Sequence, residues 1–228
     1  PFVEKVWNRS EQIAEKEYTV VVHGKPTHEE TRATFSHAAI HTATVIVYDM
    51  KEAEMLAEYI RGHAEPDSFY ERFRGRYSDG FDIGRHLQRI GVVNQTTMLA
   101  SDTQAIADHL RSVMMETYKL TQDTIAERFA DTRDTLCYAT NDNQSAVYGM
   151  LEEDADLAIV VGGYKSSNTS HLVELCENKL PTYYIDSAER LLSENEIRHF
   201  DFHRKEEKTS TGYLPEKKPV TVLMTSGA

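Results

Sequence analysis

Short apolar runs alternate along this sequence with longer stretches in which apolar residues recur at helical spacing. Residues 18–22 and 44–48 are apolar runs of strand length, and residues 50–61 repeat apolar side chains every three or four positions, as an amphipathic helix does. Residues 91–93 open a further predicted strand, and residues 102–118 are a predicted long helix. This alternation predicts parallel sheets with crossover helices.

The same order recurs in the second half of the chain. Residues 204–218 are polar and are predicted to be a solvated loop. The fold class that follows is α/β, built from repeated small parallel-sheet α/β domains. The elements predicted here are a helix at 143–152, a strand at 157–161, a helix at 168–178, a strand at 182–185, a helix at 187–192 and a strand at 220–224.

Two domains are predicted, with the boundary within residues 131–136. The first domain covers residues 1–133 and the second covers residues 134–228. Residues 63–82 fit neither the helical nor the strand period, so they are predicted to be an inserted loop with a helical turn.

Composition and charge narrow the classes of partner. The chain has 228 residues, of which 40% are hydrophobic and 27% charged, as in ordinary globular proteins. A formal net charge of -12 argues against a nucleic-acid or anionic-membrane partner, because such surfaces need clustered Lys and Arg. No apolar run reaches the roughly 18–20 residues of a membrane span. Two cysteines cannot form a disulfide framework, which favours a reducing compartment.

Ligands of open parallel sheets bind beyond the carboxyl ends of the strands, where loops lead into helices. One such loop runs through glycines into Ser166, Ser167 and Asn168. Backbone N–H groups at a helix start favour an anion, and hydroxyl groups add further donors. Ser167 or Asn168 could equally be an ordinary helix cap, and the pattern leaves both interpretations open.

Two further loops carry candidate chemistry. Thr96 follows the third predicted strand, in a loop that could bind phosphate, although taken alone an ordinary turn is favoured. The loop after the first strand contains His28 and Glu30, a pair that can deliver and relay protons. Thr27 and Glu30 also have capping-box spacing, and from one sequence the cap is favoured. Two phosphate-type loops in one chain favour phosphate binding.

The cysteines and one histidine pair have separate interpretations. Cys137 stands at the entry to a helix, where a thiolate is favoured, although a lone cysteine is usually a small apolar core residue. Cys176 lies in an apolar helix and is predicted to be such a core residue. His37 and His41 are one helical turn apart and could bind a metal, but the apolar residues between them favour a packed helix.

Four motifs, taken together, resemble the LytB/IspH reductases, especially the plant and cyanobacterial type. The resemblance spans nearly the whole chain. The motifs are HGKPTHEET at 23–31, NQTTM at 94–98, DTLCYAT at 134–140 and VVGGYKSSNTSHL at 160–172.

The resemblance implies roles for seven residues. Glu30 matches the proton-delivering carboxylate, and Cys137 matches the third of three cysteines that hold a [4Fe-4S] cluster. The positions that match the binding site for the substrate diphosphate are His28, Thr96, Ser166, Ser167 and Asn168.

The resemblance also implies a larger assembly. The family fold is a trefoil of three α/β domains around the cluster, and this chain matches the second and third, so it is expected to be cut at both ends and inactive alone. The family activity is reductive dehydroxylation of 4-hydroxy-3-methylbut-2-enyl diphosphate, with an external one-electron donor such as ferredoxin, in bacterial cytoplasm or plastid stroma. The alternative is a phosphate- or diphosphate-binding α/β module without redox chemistry.

Overall fold

The computed structural model describes residues 2–130 and 138–227. Two compact units divide the chain, Pro1–Cys137 and Tyr138–Ala228. The sequence-based domain boundary at residues 133 and 134 stays a prediction, since it falls outside the described residues.

Unit 1 is built around a parallel sheet of four strands in the order β2-β1-β3-β4. The strands are β1 (Thr19–His23), β2 (Thr44–Val47), β3 (Ile90–Asn94) and β4 (Phe129–Ala130). The helices are α1 (Phe2–Glu15), α2 (Glu29–His41), α3 (Met50–Arg61), α4 (Pro66–Arg72), α5 (Ile83–His86) and α6 (Ala100–Tyr118).

Both faces of this sheet are covered. Every residue of β1, β2 and β3 is buried, as expected of a parallel sheet with helices on each side. Side chains alternate between the faces of a strand. Val21 therefore packs in one cluster with Leu56 and Leu110 of α3 and α6, whereas Val20 packs in a second cluster with Ile13 of α1. The two clusters together bury both faces of the predicted strands.

The insertion in unit 1 is part of the core. Phe69 of α4 is fully buried, and its ring stacks on Phe73 at 4.9 Å and on Phe81 at 5.2 Å between centroids. The prediction of a loop with a single helical turn across residues 63–82 is therefore wrong for residues 66–72. Aromatic residues that contact one another only in the folded unit leave no periodic signal in so short a helix.

Unit 2 contains a parallel sheet of three strands in the order β6-β5-β9 and an antiparallel hairpin of β7 and β8. The strands are β5 (Leu157–Val161), β6 (Thr182–Ile185), β7 (Glu196–Asp201), β8 (Glu206–Thr211) and β9 (Val222–Ser226). The helices are α7 (Tyr138–Met150) and α8 (Ser167–Glu177). The predicted α/β class with repeated small parallel sheets is confirmed.

Two predictions for unit 2 are wrong. The polar stretch at 204–218 is not a continuous loop, because β8 pairs with β7 along its whole length. β8 reads EEKTST and is largely exposed, so it lacks the apolar alternation by which a strand is recognised. The helix predicted at 187–192 is only the single 3-10 turn Ala188–Arg190.

Candidate functional site

The loop between β1 and α2 places His28 at the N-cap of α2. Its backbone is extended, with φ -79° and ψ 137°, and its Nδ1 accepts a hydrogen bond of 3.3 Å from the backbone N–H of Glu30. In a neutral imidazole, Nε2 then carries the proton and remains a donor. The predicted cap, Thr27 boxed with Glu30, is wrong, because His28 takes the capping position.

The carboxylate of Glu30 points to a different segment. Its Oε1 accepts a hydrogen bond from the backbone N–H of Thr96, in the loop that follows β3. Glu30 and His28 are half-buried, and Thr96 is buried. Three residues that the sequence proposes as functional therefore lie together at the carboxyl edge of one parallel sheet, where ligands of such sheets bind.

Gln95 is the residue that holds these two loops together, and it is buried. Its Oε1 accepts from the hydroxyl of Thr31 at 2.8 Å and from the backbone N–H of Lys25 at 3.2 Å. Its Nε2 donates to the hydroxyl of Thr97 at 2.7 Å. Sequence reasoning assigned Gln95 no role of its own, although the NQTTM motif contains it. Its contacts with Thr31 and Lys25 are long-range, so spacing along the chain could not reveal them.

Gly24 allows the loop between β1 and α2 to lie close to Thr31 and Gln95. A Cβ built at position 24 would lie 2.5 Å from the hydroxyl oxygen of Thr31 and 3.0 Å from Cβ of Gln95. The Thr31 hydroxyl cannot move aside without breaking its bond to Gln95. A side chain at this position would therefore separate α2 from the end of β3.

The loop between β5 and α8 places Ser166 at the N-cap of α8. The Ser166 hydroxyl accepts from the backbone N–H of Thr169 at 3.2 Å, so the alternative that Ser167 or Asn168 is the cap is wrong. Asn168 is 4% exposed, and its Oδ1 is buried without a hydrogen-bond partner among the described residues. A buried amide oxygen without a partner is unfavourable, which supports a ligand-binding role for this loop.

A tyrosine fixes the glycine segment of the same loop. The hydroxyl of Tyr184, on β6, donates to the carbonyl oxygen of Gly163 at 2.5 Å. Burial raises the pKa of Tyr184, so the hydroxyl stays protonated and keeps this donor role across the physiological range. The turn that leads into Ser166 is thus anchored to the neighbouring strand.

The two units repeat one local arrangement. Thr31 follows Gly24 by seven positions, and Thr169 follows Gly162 by seven. A Cβ at Gly162 would lie 2.5 Å from the Thr169 hydroxyl, the same distance as in unit 1. By this spacing the two N-caps, His28 and Ser166, occupy equivalent positions. Each unit therefore presents a helix N-terminus and a polar cap beyond its central strand, a local geometry that suits an anion.

The cysteines do not supply a complete cluster site. Cys137 lies outside the described residues, so its assignment as a cluster ligand stays a prediction. Cys176 is buried in α8, and burial raises its pKa to about 11, which keeps it a thiol, as predicted for a core residue. A [4Fe-4S] cluster is held by several thiolates, so the two cysteines of this chain do not fit the whole group.

Comparison with known proteins identifies the family. The geometry defines an α/β protein whose strand-to-helix loops suit anions, and the LytB protein family model matches residues 1–228. The chain belongs to the LytB family.

Curated relatives carry a common description. The chain is 42% identical over 229 residues to the 4-hydroxy-3-methylbut-2-enyl diphosphate reductase of Trichodesmium erythraeum, which it matches over 100% of its own length and 55% of the relative's. Reductases of the same description from Cyanothece sp. (strain PCC 7425 / ATCC 29141) and Gloeobacter violaceus are 42% and 39% identical, at 55% and 53% of their lengths. The chain thus spans about half the length of these relatives.

A solved structure supports the fold. The E-1-hydroxy-2-methyl-but-2-enyl-4-diphosphate reductase from Plasmodium falciparum matches all of this chain and 62% of its own, with a TM-score of 0.56 and 20% identity. Within residues 2–130 and 138–227, no helix is both long and apolar enough to cross a membrane.

Proposed function

We propose that this chain supplies substrate-binding and proton-transfer residues of a 4-hydroxy-3-methylbut-2-enyl diphosphate reductase. The observation that carries the proposal is the hydrogen bond from Thr96 to Glu30 beside the His28 cap, in a chain that belongs to the LytB family throughout. The reaction replaces the allylic hydroxyl by hydrogen. It consumes two electrons and two protons, releases water, and gives isopentenyl and dimethylallyl diphosphates.

Each unit by itself offers a helix N-terminus to a phosphate group, and the substrate-binding residues are assigned for each unit separately. In unit 1, Nε2–H of His28 and the Thr96 hydroxyl are the proposed donors. In unit 2, the proposed donors are the hydroxyls of Ser166 and Ser167 and the amide of Asn168. N–H groups at the start of a helix favour an anion, and the capping side chains stand at that end.

Glu30 is assigned the proton step. The Thr96 N–H orients its side chain, so the group that transfers the proton is held at the carboxyl edge of the sheet rather than rotating freely. A positioned general acid of this kind contributes roughly 10²- to 10⁴-fold to a rate. In its protonated form Glu30 donates the proton to the departing hydroxyl oxygen, which leaves as water, and Glu30 is left as the carboxylate.

The redox chemistry belongs to a longer protein. We assign Cys137 as one ligand of a [4Fe-4S] cluster on the strength of the family resemblance, and the other ligands come from outside this chain. An external one-electron donor such as ferredoxin, and a location in bacterial cytoplasm or plastid stroma, complete the proposal.

The test is Glu30→Gln with Glu29→Gln as its matched control. Glu29 is the exposed neighbour of Glu30 in the first turn of α2. The assay uses the protein at the length of its curated relatives, with the cluster assembled anaerobically. Glu30→Gln should lower kcat by roughly 100-fold or more with little change in KM, because the amide cannot donate the proton, whereas Glu29→Gln should leave kcat within about twofold. Equal rates for both variants would contradict the role of Glu30.

A diphosphate-binding module without redox chemistry is the second candidate, favoured by the shortage of free thiols in this chain. It predicts that the 228-residue chain binds inorganic pyrophosphate equally well after Cys137→Ala and after iron removal. A protein at the length of its curated relatives that shows no iron-dependent absorbance would favour this candidate over the reductase, and loss of pyrophosphate binding on iron removal would count against it.

A further inference from the structure

Two helices of unit 1 bring three possible metal ligands together, away from the loops described above. Glu11 lies on α1, and His37 and His41 lie one turn apart on α2. Nε2 of His37 is 3.1 Å from Oε1 of Glu11, and Nε2 of His41 is 4.0 Å from the same oxygen. One ligand atom from each residue lies within 4.8 Å of the others.

These separations suit a tetrahedral ion. Bonds of about 2.0–2.2 Å to imidazole nitrogen and carboxylate oxygen place tetrahedral zinc ligands roughly 3.3 Å apart. The 3.1 Å and 4.0 Å distances lie on either side of that value. A small adjustment of side-chain torsions within their rotamer wells can bring His41 closer to Glu11 without moving the helices.

The surroundings restrict one of the three ligands and leave the other two open to solvent. The ring of Trp7 stacks on His37 at 4.6 Å between centroids and 27° between planes, which restricts the imidazole. The side chains of His41 and Glu11 are 42% and 44% exposed, so water can fill a fourth position. Buried Ile13 and Ala38 pack in one cluster and keep α1 against α2.

We propose that Glu11, His37 and His41 form a binding site for a divalent transition-metal ion of the zinc class, which cross-links α1 to α2. Two imidazoles select zinc, nickel or copper over magnesium and calcium, which prefer sets of oxygen ligands. The carboxylate offsets part of the ion's charge. The site is separate from the proposed reductase chemistry and does not depend on it, because none of the three residues belongs to the substrate loops.

The test is a calorimetric titration of zinc into the tag-free chain that carries Cys137→Ser. This substitution removes a thiol that could bind zinc itself, and Cys176 is buried. We expect about one zinc ion per chain and a higher unfolding temperature with zinc than with magnesium, since an ion that binds only the folded state stabilises it. His41→Ala and Glu11→Gln should each weaken binding tenfold or more, as loss of even an outer partner costs roughly 10- to 100-fold.

The matched control is His203→Ala. His203 forms a histidine–carboxylate contact of 2.8 Å with Glu177. Among the described residues this contact includes no second histidine, so His203→Ala should leave zinc affinity within about twofold of wild type. Glu11→Gln keeps the shape of the side chain, and circular dichroism establishes that each variant is folded. No saturable zinc binding, or equal losses in His203→Ala and His41→Ala, would overturn the site and leave Glu11 and His37 as a simple ion pair between helices.

Discussion

The backbone N–H of Thr96 donates a hydrogen bond to the carboxylate of Glu30, across 66 positions of sequence. The contact exists because β1 and β3 are parallel neighbours in register, with His23 paired to Asn94 at their carboxyl ends. Each loop leaves the sheet at the same edge. The loop after β3 thus sets the orientation of Glu30, the proposed proton donor, which follows β1. Gln95 connects the two loops through its hydrogen bonds to Thr31 and Lys25.

Gln95→Ala should destabilise unit 1. The substitution removes the acceptor of the buried Thr31 hydroxyl, and a buried polar group left unsatisfied costs about 1–3 kcal/mol. Urea unfolding measures the loss. Gln88→Ala is the control, since Gln88 is exposed and its loss should stay within about 0.5 kcal/mol. Losses of the same size in both variants would contradict the role given to Gln95.

Gly24→Ala should also destabilise the chain, for a steric reason. The new Cβ would sit 2.5 Å from the Thr31 hydroxyl oxygen, and forced overpacking costs about 1–3 kcal/mol. Gly163→Ala provides the comparison, because a Cβ there has no neighbour within 4 Å. Thermal unfolding of the two variants should separate them clearly, and a Gly24→Ala chain as stable as wild type would show that the loop can relax.

Ser166→Ala and Ser167→Ala distinguish a cap from a ligand. Ser166 caps α8, so its replacement should cost about 1 kcal/mol of stability and also weaken binding of inorganic pyrophosphate. Ser167→Ala should weaken binding while changing stability by less than about 0.5 kcal/mol. Calorimetric titration and urea unfolding give the two quantities. Unchanged affinity in both variants would count against the α8 loop as a diphosphate site.

His199 should make unit 2 less stable in mild acid. Burial in β7, followed by the nearby Lys208 charge, lowers the pKa of His199, and its Nε2 lies 2.8 Å from the Ser210 hydroxyl. The unfolded chain therefore binds the proton first, so stability falls as pH drops through about 6.5 and levels off below the folded pKa, with a slope of at most about 1.4 kcal/mol per pH unit.

The measurement is the unfolding free energy of wild type and His199→Gln between about pH 8 and pH 5, a range that spans the usual histidine pKa. The advantage of wild type over His199→Gln should shrink as the pH falls. A constant difference between wild type and His199→Gln would refute the assignment.

Local pattern was sufficient for the regular elements. The predicted bounds of α3, β5 and β6 coincide with the structure, because α3 has an unbroken helical period, β5 is a wholly apolar run, and β6 is rich in β-branched and aromatic residues. It failed where the signal was not local. β8 is polar and is recognisable only through its pairing with β7, and Phe69 of α4 stacks on Phe81, a ring from outside the helix.

By itself the sequence determined the α/β class, the alternation of strands and helices, and the motifs that place the chain in the LytB family, since these depend on composition and spacing along the chain. Only the tertiary structure decided that His28 rather than Thr27 caps α2, that Glu30 reaches Thr96, and that Glu11 joins His37 and His41. The physical reason is common to all three. Each contact depends on backbone placement or on the register between elements distant in sequence, which no local period encodes.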